Sequence, residues 1–147
     1  MPSKLLSPQE LRVWHAFRLM GDDVLDRVGR DIAAATGLSG SDFAVLSRIA
    51  NLGKEEMRQQ KLADMLGWEK SRLSHHLTRM QQRGLIERRE ADGRIVLVIL
   101  TEFGRETLDQ ARPVHATSVR RNLLSRLSQQ QTETLVRISN ILGEEPE

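Results

Sequence analysis

The sequence predicts a mainly α fold with a small β-hairpin wing, α+β in class. Three observations carry this expectation. Apolar residues recur at helical spacing over six segments. Most of those segments open at a capping residue or close at a glycine. One Asp-Gly turn separates two short strand-like runs. The 147 residues suit one domain, with a core large enough to need no metal or disulfide staple.

The first helix starts at Ser7-Pro8-Gln9-Glu10, a capping serine with proline at the first helical position and glutamate three residues on. Leu11, Trp14, Phe17, Val24, Leu25, Val28 and Ile32 continue it to about residue 36, and Gly37 stops it. At 1.5 Å per residue it is roughly 43 Å long, hard to cover within one small domain, and a second chain would solve that. Ser39, with Asp42 three residues on, caps a second helix ending near Gly53. A third spans roughly Gln59 to Leu66 and a fourth roughly Lys70 to Arg83; Arg58 and Glu69 are poor caps for them. Leu73, Leu77 and Met80 form the apolar stripe of the fourth helix. Leu85 to Glu90 and Arg94 to Leu100 read as strands around Ala91-Asp92-Gly93. Thr101 caps a long helix expected to break or kink near Pro113, and a last helix starts about Ser128.

Charge is unevenly placed. The net charge is only +2, yet residues 69–94 hold seven basic side chains against four acidic ones, and the remainder of the chain holds no positive excess. A focused basic stretch suits an anionic partner, and a solvated arginine-rich surface is the plainer account. There are no cysteines, which excludes disulfides, thiol redox sensing and thiolate metal sites. No apolar run is long enough for a signal peptide or a membrane span, so the expectation is a cytoplasmic protein with no membrane partner. No nucleophile, base or metal cluster shows catalytic spacing, so we expect no enzyme, no cofactor and no metal.

Two short helices joined at a glycine, then an arginine-rich hairpin, form a winged helix-turn-helix pattern. A helix fits the major groove, where short hydrogen bonders and guanidinium forks read base edges. Arginine and lysine on its ends and on the hairpin can neutralise phosphate, and a narrow hairpin tip can place one arginine in the minor groove. Asp92 is suited to orient Arg94 through a charge-assisted pair.

The run LADMLGWEKSRLSHHLTRMQQRGLIERREADGRIVLVILTEFG resembles the multiple-antibiotic-resistance regulator (MarR) family of bacterial transcription factors. The Asp-Gly-Arg wing followed by Leu100-Thr101, and the RMQQRGLIERR stretch, are its most specific pieces, and the likeness covers roughly residues 8–143. It implies one MarR-type domain over 1–147, with 8–36 and 102–143 as dimerisation helices and 38–101 as the DNA-binding lobe. It further implies a homodimeric repressor on double-stranded DNA with a pseudo-palindromic operator, released by a small aromatic or anionic effector. An effector would favour a lobe spacing that no longer matches the groove repeat. By position, Ser71, Arg72, Ser74, His75, His76, Thr78 and Arg79 match the exposed face of the recognition helix, and Asp92 and Arg94 match the wing pair.

Other candidates need weighing. Arg83 contacts phosphate or merely solvates the helix end. Arg88 and Arg89 alternate across a strand, so only one faces DNA, and Arg88 is taken as the contact. His75 and His76 lie about 100° apart on a helix and cannot share one ligand, so at least one is expected on DNA. Trp14, His15, Arg18 and His115 are candidates for the effector pocket that the resemblance implies, although Trp14 also reads as core and the histidines as ordinary surface groups. Leu5, Leu6, Leu123, Leu124, Leu127, Leu135, Ile138, Ile141 and Leu142 suit an intramolecular core, but with the overlong first helix most of them are expected at the dimer interface. Two alternatives stay open: a winged-helix module that binds proteins, suited by the apolar outer wing strand, and a metal-responsive regulator.

Overall fold

A computed structural model describes residues 5–144. Six helices and three strands follow the order α1 (Pro8–Thr36), α2 (Gly40–Leu52), β1 (Glu56–Arg58), α3 (Gln59–Leu66), α4 (Lys70–Gln82), β2 (Ile86–Ala91), β3 (Ile95–Leu100), α5 (Glu102–Asn122) and α6 (Gln129–Gly143), with a single 3-10 turn at Leu124–Arg126. The expected caps form. Ser7 and Glu10 exchange hydrogen bonds at the start of α1, and Ser39 and Asp42 do the same for α2; α6 adds a capping box that was not expected, Ser128–Gln131.

The chain divides into two compact units, residues 29–114 and residues 1–28 with 115–147. The boundary falls inside α1 and α5 rather than at their ends, because Ile32 of α1 and Leu108 and Ala111 of α5 are buried members of the first unit.

Residues 29–114 hold nearly all of the core. Leu38, Val45, Leu46, Ile49, Leu62, Leu73, Leu77, Met80, Leu85, Ile86 and Val98 are fully or almost fully buried. At about 25 cal/mol per Å² of buried apolar surface, this cluster is what holds the unit together. The sheet has the order β1-β3-β2, all antiparallel, with Met57 opposite Val98 and Arg88 opposite Val98 from the other side. The two-stranded hairpin expected from sequence is therefore three-stranded. β1 is only three residues long, too short for its exposed-buried-exposed alternation to mark a strand in the sequence. Its presence makes β3 the central strand, and every β3 side chain is buried or half-buried. That accounts for its apolar residues on both faces, and it removes the exposed apolar strand on which a protein-binding wing would depend.

Thr101 ends the sheet and begins α5. Its hydroxyl donates toward the Gly84 and Leu85 carbonyls at 2.6 and 3.0 Å and accepts from the Gly104 amide at 2.9 Å. Gly104 lets α5 pass close beneath Leu85, where a Cβ would collide with the Leu85 carbonyl oxygen. α5 runs unbroken through Pro113, contrary to the expected break. Proline leaves the carbonyl of the exposed Asp109 without its helical donor, a loss that solvent can make good.

In the second unit the first part of α1 is exposed from Pro8 to Met20, and α6 buries no residue. Among the described residues, all the large exposed apolar side chains except Leu52 and Phe103 lie in this unit. Trp14, Phe17, Leu19, Met20, Val136, Ile138, Ile141 and Leu142 are among them. No helix among the described residues is long and apolar enough to cross a membrane.

Candidate nucleic-acid interface

α4 buries Leu73, Leu77 and Met80 and turns Ser71, Arg72, His75, Thr78 and Arg79 outward, with Ser74 half-buried. Spacings of four and three in the apolar stripe leave a polar face of short hydrogen bonders and guanidinium groups. The wing closes at Asp92 and Gly93, with φ of 30° and 81°. Asp and Gly tolerate that left-handed region, which is why this pair makes the turn. Asp92 and Arg94 are both exposed, and among the described residues no ion pair joins them, so the expected orienting contact is not formed.

A cleft of about 350 Å³ lies between the starts of α3 and α4 and the wing, lined by Arg58, Gln59, Gln60, Lys70, Arg94 and Ile95 among others. Three cations from three elements border it, no carboxylate does, and none of the three is tied to an acidic partner among the described residues. Arg58 escaped the sequence reading, whereas Lys70 entered it as a phosphate-neutralising cation at the helix end. Arg58 stood out only as a poor cap, and nothing in a linear sequence places it beside the wing.

Three expected DNA contacts are committed elsewhere. His76 turns inward, with Nε2 2.9 Å from Asp42 Oδ1 and its side chain only 14% exposed. Of the adjacent histidines, therefore, His75 alone faces solvent. Arg83, although 45% exposed, does not stand free for phosphate. It donates to Asp42 Oδ2 at 2.7 Å and to the Gly37 carbonyl at 3.0 Å, tying α4 to the start of α2 and the end of α1. Arg88 lies across α4, donating to Gln81 Oε1 at 2.9 Å and Thr78 Oγ1 at 2.7 Å, so it braces the helix against β2. Arg89 is exposed, 3.9 Å from Glu56.

Asp42 is the hub of this network. Burial would raise its pKa, but the contacts with His76 and Arg83 and the bond from the Ser39 amide outweigh it. The carboxyl is held well below the usual carboxylate range. It is 2% exposed, and the sequence showed it only as part of a cap.

The transcriptional regulator SarA/Rot family model matches residues 29–111, more than half of the chain. The chain belongs to this MarR-like family of winged-helix, DNA-binding transcriptional regulators. Two solved MarR family regulators from Streptomyces coelicolor share its fold. AbsC is 26% identical with a TM-score of 0.84, covering 97% of this chain and 100% of its own. Sco3205, solved in complex with DNA, is 27% identical with a TM-score of 0.88, covering 97% of this chain and 96% of its own. The uncharacterized HTH-type transcriptional regulator YdgJ of Bacillus subtilis (strain 168) is 29% identical over 87 residues, which is 58% of this chain. The match spans about half, 52%, of that curated relative.

In this MarR-like chain the effector candidates fall in two groups. Trp14 stacks with Phe17, ring centroids 6.2 Å apart, and the Arg18 guanidinium lies 6.0 Å from the Trp14 ring. Trp14 is 48% exposed, not the core residue that its spacing suggested. His15 is exposed and takes no part in this group, and His115 is half-buried, with its pKa lowered by that burial. None of the four lines the cleft beside the wing. Among the described residues no three His, Asp or Glu side chains gather as a metal site requires.

Proposed function

We propose that this protein is a homodimeric, sequence-specific repressor acting on double-stranded DNA with a pseudo-palindromic operator. The carrying observation is the joint placement of the polar face of α4 and the cation-bordered cleft, with Arg94 on the wing side. Ser71, Arg72, Ser74, His75, Thr78 and Arg79 meet base edges and nearby phosphates in the major groove. Arg58 and Lys70 neutralise backbone charge, and Arg94 with Asp92 forms the tip that enters the minor groove. Arg83, Arg88 and His76 hold the helix in place rather than touching DNA. The role is one of binding, not catalysis, in the cytoplasm. The exposed apolar surfaces of α1 and α6 support a second copy of the chain as partner, because such surface is costly to leave in water. Trp14 and Arg18, with His15 and His115 as further candidates, suit a small aromatic or anionic effector through stacking and charge.

Fluorescence anisotropy tests the reading, using DNA from upstream of the protein's own coding sequence against a scrambled duplex, from about 50 to about 200 mM salt. Tight, salt-dependent preference for the first duplex is the expected result. Arg94→Ala should weaken that binding about tenfold, near 1.4 kcal/mol. Absence of binding to any duplex at low salt would overturn the proposal.

A further inference from the structure

The half-exposed Trp68 precedes α4 and lies outside every contact discussed above. The Arg72 guanidinium sits over its indole, 4.2 Å from the ring centroid. The indole also meets His76 edge-on, with centroids 5.5 Å apart and rings at 84°. Behind His76 stand Asp42 at 2.9 Å and, through Asp42, Arg83. The Trp68 backbone is equally constrained. Gly67 closes α3 in the left-handed region, with φ of 66°, and the Trp68 amide donates to the Ala63 carbonyl at 3.1 Å. A succession of contacts thus runs from buried Asp42 through His76 and Trp68 to Arg72 at the surface.

We infer that Trp68 is a positioning residue that presents Arg72 to a guanine in the major groove. The inference rests on the DNA-binding reading above. An arginine on an exposed helix face carries rotamer entropy that is lost when it binds. Laying its planar group on a fixed indole removes part of that cost in the free protein. The stacked guanidinium still offers N–H edges, and the bidentate acceptor pair that fits them is O6 and N7 of guanine. Arg72 is the third residue of α4, and the N-terminal turn is where recognition helices meet base edges.

The test uses the tightest duplex that the wild-type protein selects from a randomised library, then that duplex with each base pair replaced in turn. Arg72→Ala should lose discrimination at one G·C pair per half-site. Trp68→Leu, which keeps apolar packing beside His76, should weaken binding about threefold and narrow discrimination at the same pair alone. Trp68→Phe should restore most of it, and Trp68→Leu combined with Arg72→Ala should resemble Arg72→Ala alone. Unchanged discrimination in Trp68→Leu, an equal loss at every position, or losses that multiply would each overturn the inference. Should the leucine variant fail to fold, a Trp14→Phe protein, in which Trp68 is the only indole, decides instead. Its emission should change on Arg72→Ala, and no change would overturn the stacking. A wild-type protein that selects no duplex would instead sink the DNA-binding reading itself.

Discussion

Asp42 shows how one side chain serves several elements. It completes the cap of α2, neutralises Arg83 and holds His76, while nearly excluded from water. Its folded pKa lies below the unfolded value, so the stabilisation is present above about pH 4 and is lost as pH falls further. Arg83 remains 45% exposed, so removing the carboxylate does not strand a fully buried cation, and the cost should be that of charge-assisted hydrogen bonds. Asp42→Asn should therefore destabilise by about 1.5–3 kcal/mol at neutral pH. Urea midpoints between about pH 7 and about pH 3 should show wild type losing its advantage over the variant as pH falls through the acid range. Gly104 is the second sensitive position. Gly104→Ala forces a methyl against the Leu85 carbonyl oxygen and should lower stability by about 1–3 kcal/mol, read from thermal melts. Neither effect requires DNA.

Between elements, the decisive contacts are those that hold α4. Arg88 of β2 reaches Gln81 and Thr78, and Arg83 reaches Asp42 and Gly37, so the C-terminal half of the helix is fastened by two guanidinium groups. Arg88→Ala should weaken DNA binding with a smaller change in salt dependence than Arg94→Ala, because it loosens the helix without removing a DNA contact. Anisotropy salt series on the two variants would show equal slope changes if Arg88 were itself on phosphate. The sheet supplies a second case. β3 gains β1 as a neighbour, with Met57 opposite Val98, and this pairing brings Arg58 to the edge of the cleft.

For the whole molecule, the contrast between the two units matters most. Residues 29–114 bury most of their large apolar side chains, whereas α6 buries none and the first part of α1 leaves Trp14, Phe17, Leu19 and Met20 exposed. A free monomer with so much exposed apolar surface would tend to associate. Light scattering at micromolar concentration should give a dimer mass. Ile141→Glu should shift it toward monomer and weaken operator binding, while the helical signal of residues 29–114 persists. A wild-type monomer would contradict the dimer proposal.

Much of this was legible along the chain, because helices are local objects. Ser7 and Ser39 cap where their sequence patterns say, Gly37, Gly67 and Gly84 sit at left-handed positions, and the Asp92-Gly93 turn demands its own backbone. The outward face of α4 follows from the spacing of Leu73, Leu77 and Met80. What sequence could not show depends on separations of tens of residues. Nothing local pairs β1 with β3, sends Arg83 back 41 residues to Asp42, or turns His76 inward while His75 faces out. Charge and residue type nominate a DNA contact; only the tertiary partners of each side chain decide whether it is free to make one. The periodicity of the chain by itself determined the winged-helix pattern. The folded structure decided which arginines serve the helix and which remain open to a ligand, since a guanidinium already bonded to Asp42 or Gln81 must give up those bonds before it can bind elsewhere.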